Sequence, residues 1–214
     1  MAYRTTDKMR ARKEARRQRL LKSAIRLFGR KGFHATTVPM IVRAANSSTG
    51  SFYFYFDNKG DVFAAALRDL GERISAALNR ALRAAGPNVL AQMRAAVKAL
   101  VAFLAENPED ARILIVESSG LGRRLEDLRR QIIASHTRSV EQALSAMANR
   151  LPPLDASVAA SCWVGAVYEA VYRWLESPAE SRVPASRLAE AIVRFNLGGI
   201  GAPAAISEDN GHDH

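Results

Sequence analysis

The chain has 214 residues, 48% of them hydrophobic, which is enough for one larger or two smaller domains with a real core. Its net charge of +10 is unevenly placed: residues 1–31 hold 12 Lys/Arg against Asp7 and Glu14, leaving 19 basic and 19 acidic residues beyond them. There is no apolar secretion segment, no run long enough to span a membrane and only one cysteine, which excludes an internal disulfide; a cytoplasmic protein is expected.

The N-terminal arm is Arg-rich and acid-poor, and residues 1–10 read either as a solvated tail or as a phosphate-neutralising arm. An organellar transit peptide has a similar composition. Here, however, the amphipathic pattern Leu20, Leu21, Ala24, Ile25 and Phe28 runs straight on into a folded unit, and from Lys13 the arm merges into a first helix.

A second helix should start at Thr37, whose hydroxyl is placed to cap free amides, with Pro39 tolerated in its first turn. Val38, Ile41, Val42 and Ala45 then share a face, and Asn46 stands where the backbone must turn through the left-handed region. Ser47 and Ser48 supply a new cap. Thr49, Gly50 and Ser51 open a third helix with a small polar first turn, and Phe52 and Phe56 anchor its back to the core. Tyr53 and Tyr55 cannot both share that inner face, so at least one hydroxyl reaches solvent or a phosphate oxygen. Lys59 opens the next helix. Two short helices around a tight turn, ending in an aromatic and basic edge, are a way to present a helix to DNA.

These residues resemble the DNA-binding domain of the TetR/AcrR family of bacterial transcriptional regulators. The pattern comprises Leu27-Phe28, Gly32-Phe33, Thr36-Thr37, Ile41, Ala45, Gly50, Tyr53, Phe56 and Lys59, about a quarter of the chain. Asn46 and Ser47 replace a usual Gly and an apolar residue, Val42 replaces a usual Ala, and Tyr55 stands where many members have His. The resemblance implies contacts to DNA phosphates from Thr37, Tyr53, Tyr55 and Lys59, contacts near bases from Thr49, Gly50 and Ser51, and a cap from Ser48 that also touches the backbone.

Beyond Lys59 the turn signals Gly86-Pro87, Asn107-Pro108, Gly120 to Gly122, Pro152-Pro153 and Ser177-Pro178 divide the chain into helices near 60–85, 88–106, 109–119, 121–150, 155–177 and 184–198. With the first three, these make about nine, an all-α fold without strands. Three parts are expected: a DNA-binding helix-turn-helix domain over 1–59, a ligand-binding and dimerisation domain over 60–200, and a flexible tail over 201–214. A homodimer is expected, because a two-fold protein reads two half-sites about 34 Å apart. Its interface is placed on Val158, Ala159, Cys162, Gly165, Ala166 and Ala170, with Leu188, Ile192, Phe195 and Leu197 on the last helix, although ordinary core would show the same pattern. Cys162 is otherwise expected to pack in the core.

A small-molecule site is harder to read, because a pocket in a bundle looks like core. The large side chains Trp163, Val167, Tyr168, Val171, Tyr172 and Trp174, with Phe103 and Met93, are candidate walls, each also readable as plain packing. Glu117 and Glu169 sit inside apolar helix patterns and need a partner or water. Ligand-binding candidates are therefore Phe103, Glu117, Trp163, Tyr168, Glu169 and Tyr172. Arg123, Arg124, Arg129 and Arg130 suit an anionic headgroup or, more simply, a solvated helix face beside Glu126 and Asp127.

The histidines His34, His136, His212 and His214 show no metal spacing, and there is no phosphate loop or nucleophile elbow, so no enzyme and no cofactor are expected. A weak metal site in the terminal SEDNGHDH is the lesser reading beside a polar tail. The expected function is a ligand-responsive transcriptional regulator, a repressor released from a near-palindromic operator in double-stranded DNA by a small effector. The alternative is a ligand-independent DNA-organising or division factor with the same head.

Overall fold

The computed structural model describes residues 7–202; the arm before Asp7 and the tail with His212 and His214 lie outside the described residues. Nine α-helices and no strand occur among them: α1 (Asp7–Ala35), α2 (Val38–Ala44), α3 (Thr49–Tyr55), α4 (Lys59–Ala84), α5 (Val89–Glu106), α6 (Pro108–Arg112), α7 (Arg123–Ala146), α8 (Ala156–Glu176) and α9 (Ala185–Gly199). The all-α class and helix count are as the turn signals predict. The stretch expected as one helix over 109–119 is instead α6 followed by a π-helical turn, Ile113–Glu117.

The chain forms two compact units, one of residues up to Gly71 with Pro108–Arg129, the other of Glu72–Asn107 with the chain from Arg130 onward. The first unit closes over Leu20, Phe28, Ile41, Phe52, Phe63 and Leu67, all fully buried. Phe63 meets Phe28 and Phe33 edge-on, with ring centroids 5.0 and 5.1 Å apart. Helix α6 lies against α1 so closely that a Cβ on Gly29 would stand 2.5 Å from the Cα of Glu109. Arg30 Nε donates to Glu109 Oε1 across the same contact at 3.0 Å.

Gly32 interrupts α1 at φ 81, ψ 165, a conformation open essentially to glycine alone. The amide that follows it cannot be satisfied inside a helix, and Glu117 Oε2 accepts it: Phe33 N donates at 3.0 Å. Glu117, expected as a ligand-binding candidate, is here a structural acceptor in the first unit, with Arg112 3.8 Å away.

In the second unit α5 and α8 pack against α9. Buried Asn196 on α9 donates to Trp163 O on α8 at 3.3 Å, and Lys98 pairs with Glu190 at 2.5 Å. The inward face of α8 comprises Ala160, Trp163, Val164, Val167, Val171 and Leu175. Cys162 falls out of phase with that face and is exposed, against the expectation of core packing. Val158 and Gly165 are exposed with it, and Phe195 on α9 is 71% exposed, while Ile192 and Leu197 are core.

Candidate nucleic-acid interface and cavity

The sequence places the turn between α2 and α3 correctly. Asn46 has φ 47, and Ser48 Oγ accepts from Ser51 N at 3.1 Å, capping α3. Phe52 and Phe56 are buried, fixing the inner side of α3 and turning the other side outward. Thr49 and Gly50 are exposed, and a Cβ added at Gly50 would meet nothing within 4 Å. Tyr53 is 53% exposed and Tyr55 half-buried.

Three residues differ from expectation. Thr37 holds the N-cap position of α2 in extended backbone, yet its hydroxyl makes no capping bond. Pro39 is one physical reason: a second-position proline removes one of the two amides a cap can reach. Ser51 Oγ is buried without a partner, whereas Thr49 and Gly50 are exposed. Lys59 Nζ donates to Phe33 O at 2.7 Å and His34 O at 3.3 Å, and lies 4.3 Å from the Phe33 ring centroid. Desolvation pushes its pKa down. Its ammonium thus ties α4 to the end of α1, and a phosphate would have to share it.

Sequence reasoning missed Phe54, which is 65% exposed on α3 between the two tyrosines. It also missed which side of α1 accompanies it. Lys13 Nζ stands 5.4 Å from the Phe54 centroid and the Arg17 guanidinium 5.8 Å from that of Phe56. The four-residue spacing puts Lys13 and Arg17 on one face of α1, beside the exposed helix, and the core of α1 begins only at Leu20. The basic arm is therefore helical from Asp7 and runs beside Phe54 of α3.

The second unit contains a cavity of about 460 Å³ between α4, α5, α7 and α8. Leu78, Leu82, Met93, Val97, Leu100, Val140, Trp163, Val167 and Tyr168 give it a mainly apolar wall, with Ser75, Asn79, Gln92, Ser135, His136, Ser139 and Gln142 as its polar side chains. Of the ligand-binding candidates, Trp163 and Tyr168 line it. Phe103 does not; it lies beneath the Arg73 guanidinium at 5.3 Å. Glu169 is exposed and pairs with Arg173 at 2.7 Å one turn on, and Tyr172 lies under that same arginine at 5.9 Å; both fall outside the cavity because they sit on the outer side of α8. The arginine cluster is partly engaged: Arg124 pairs with Asp61 at 2.6 Å and Arg129 Nε donates to Leu114 O at 3.2 Å. The overlooked residue is His136, whose Nδ1 lies 2.9 Å from the Tyr168 hydroxyl. Nothing in the sequence distinguishes it from a surface histidine on an otherwise polar helix.

A capped helix, held behind a tight turn by two buried phenylalanines and flanked by a basic helix, defines a helix-turn-helix DNA-binding protein. Residues 20–66 match the family model described as bacterial regulatory proteins, tetR family. The chain is 28% identical over 179 residues to the HTH-type transcriptional regulator YdgC of Bacillus subtilis (strain 168), covering 82% of this chain and 88% of that one. Its fold is similar to the transcriptional regulator FadR from Bacillus subtilis, solved with stearoyl-CoA (TM-score 0.76, 17% identity, 86% of this chain and 99% of that one). It is similar also to AibR, solved with isovaleryl coenzyme A and operator DNA (TM-score 0.71, 18% identity, 88% and 98%). The match to the tetR-family model lies on the helix-turn-helix unit, and the chain is a DNA-binding transcription regulator.

Proposed function

We propose that this protein is a homodimeric repressor that binds a near-palindromic operator and is released from it by a small molecule held in the cavity of the second unit. The observation that carries this reading is that cavity: a 460 Å³ apolar space with a few convergent polar groups, in a chain whose other unit carries a DNA-reading helix. Two proteins of the same fold hold acyl-coenzyme A ligands, which supports a ligand-binding role for this unit. Helices α4 and α7 each begin in one unit and end in the other, so a ligand that displaces them has a covalent route to the DNA-reading unit. The effect can be no larger than the ligand's preference for the released conformer.

In this reading Thr37, Tyr53 and Tyr55 take phosphates, Thr49 and Gly50 approach the bases, Ser48 caps the reading helix, and Lys59 fastens α4 to the end of α1. Two copies pair through α8 and α9, where Val158, Cys162, Gly165 and Phe195 are exposed and small residues allow close approach. The test is recovery of genomic DNA bound by the purified protein across salt concentrations, followed by footprinting of the tightest fragment. A few near-palindromic sites, lost on adding an effector, are expected. Broad salt-sensitive binding without a motif would instead mean a DNA-organising factor.

A further inference from the structure

We propose that the cavity of the second unit takes a neutral, largely apolar molecule bearing a hydrogen-bond acceptor such as a carbonyl oxygen, and that His136 Nε2–H reads that acceptor. This rests on the reading of the cavity as the effector site.

The first argument is charge. None of the residues lining the cavity is Asp, Glu, Lys or Arg. An ionic group placed among them would lose its water and gain no counter-ion, so the wall selects against carboxylates and amines alike. The charged part of any larger ligand has to stay outside it.

The second argument is hydrogen bonding. Several polar groups of the wall already donate to backbone: Ser135 Oγ to Ile132 O at 2.6 Å, Ser139 Oγ to Ser135 O at 3.1 Å, and Gln92 Nε2 to Gly86 O at 2.6 Å. His136 Nε2 is different. It is buried and has no partner, a condition shared among the described residues only by Ser51 Oγ in the other unit. A buried polar atom left in this state is costly, and a ligand that satisfies it recovers that cost as affinity.

The third argument is the tautomer. Burial pushes the His136 imidazole below its ordinary pKa, so the ring is neutral at pH 7. The 2.9 Å contact with the Tyr168 hydroxyl engages Nδ1, and we assign the hydroxyl as its donor because phenol is the stronger acid and imidazole the stronger base. The ring proton then resides on Nε2, which makes this atom a donor that needs an acceptor. Because Nε2 is enclosed within the wall, a ligand reaching it must shift the side chains over it. Binding is thereby coupled to a movement of the wall.

The experiment is titration calorimetry of the full-length protein with 2-nonanone, nonanoate and nonylamine, which share an alkyl chain and differ in charge. Wild type is expected to bind the ketone about tenfold tighter than either ion, the ratio corresponding to one hydrogen bond. His136→Phe should lose most of that advantage, and His136→Gln, which retains an N–H, should recover part of it. Histidine ¹⁵N spectra should show the proton on Nε2 and a shift of that nitrogen on adding the ketone. Equal binding of an ion and the ketone, or ketone binding unchanged in His136→Phe, would overturn the assignment while leaving the cavity as a binding site. Failure of folded wild type to bind any of the three would overturn both.

Discussion

Glu117 Oε2 accepts the backbone amide of Phe33 at 3.0 Å, across 84 residues of chain. The bond occupies the break that Gly32 makes in α1, and a Cβ on Gly32 would stand 3.0 Å from that same oxygen. Lys59 holds the carbonyl side of the same residue, so both polar groups of Phe33 are fastened by side chains from elsewhere in the first unit. Gly32→Ala is expected to cost about 1–3 kcal/mol through backbone strain. Glu117→Ala is expected to cost about 1–3 kcal/mol by leaving the amide without its charged acceptor. Urea unfolding followed by circular dichroism measures both, and a neutral Glu117→Ala would show that water replaces the carboxylate.

The proposed function assigns two kinds of DNA contact to the exposed edge of α3. Tyr53→Phe should weaken binding to every duplex similarly, whereas Thr49→Ala should change sequence preference. Gly50 is the sharper case, because its Cβ would meet nothing in the protein. Gly50→Ala should leave the fold intact or stabilise it by about 0.5–1 kcal/mol while weakening operator binding, if this position approaches DNA closely. Melting curves and competition binding on the same preparations decide it.

Lys13 and Arg17 stand beside the rings of Phe54 and Phe56, and Arg17 also pairs with Glu14 at 3.5 Å on its own helix. Replacing both by Gln should flatten the slope of log affinity against log salt by about 1.8, the value for two phosphate contacts on duplex DNA. An unchanged slope would mean that these side chains only shield the rings of Phe54 and Phe56.

The exposed apolar residues of α8 and α9 make the dimer testable. Val158 is 59% and Phe195 71% exposed, and a charge at either would sit in the proposed interface. Phe195→Asp should yield monomers in sedimentation and lower affinity for a two-half-site duplex far more than for a single half-site. A monomeric wild type would remove the symmetric-operator reading.

Burial keeps His136 neutral in the fold, which has a consequence for acid stability. In the unfolded chain the ring takes up a proton below about pH 6.5, its ordinary value. The folded ring resists protonation until lower pH, so across that window the unfolded state binds more protons and stability falls as pH falls. His136→Phe should show a shallower loss of urea midpoint between pH 7 and pH 5.5 than wild type. Parallel profiles would place the acid sensitivity elsewhere.

The helix-turn-helix was legible from local rules. Asn46 marks a left-handed turn, Ser48 a cap, and Phe52 with Phe56 a buried side, each signal depending only on residues within a few positions. Glu117 was legible as a carboxylate needing a partner but not as the acceptor of Phe33, because that partner is a backbone amide freed by a glycine far away. Cys162 was misplaced because α8 has small or apolar residues on several sides, and only the phase of Trp163 and Val167 decides which side is inward. His136 carried no signal at all.

By itself the sequence determined the class of this protein: an all-α chain with a capped reading helix, a basic first helix and a family-specific pattern from Leu27 to Lys59. The helices and their cap rest on propensity, capping and periodicity, which act between near neighbours, and the pattern is a resemblance to a known family. The tertiary structure alone decided that Lys59 and Glu117 secure Phe33, that Ser51 Oγ is buried, and that an uncharged cavity has one unpartnered histidine nitrogen buried in its wall. Each of these depends on which groups meet across the core, and burial converts such a meeting into a large difference between a satisfied and an unsatisfied polar atom.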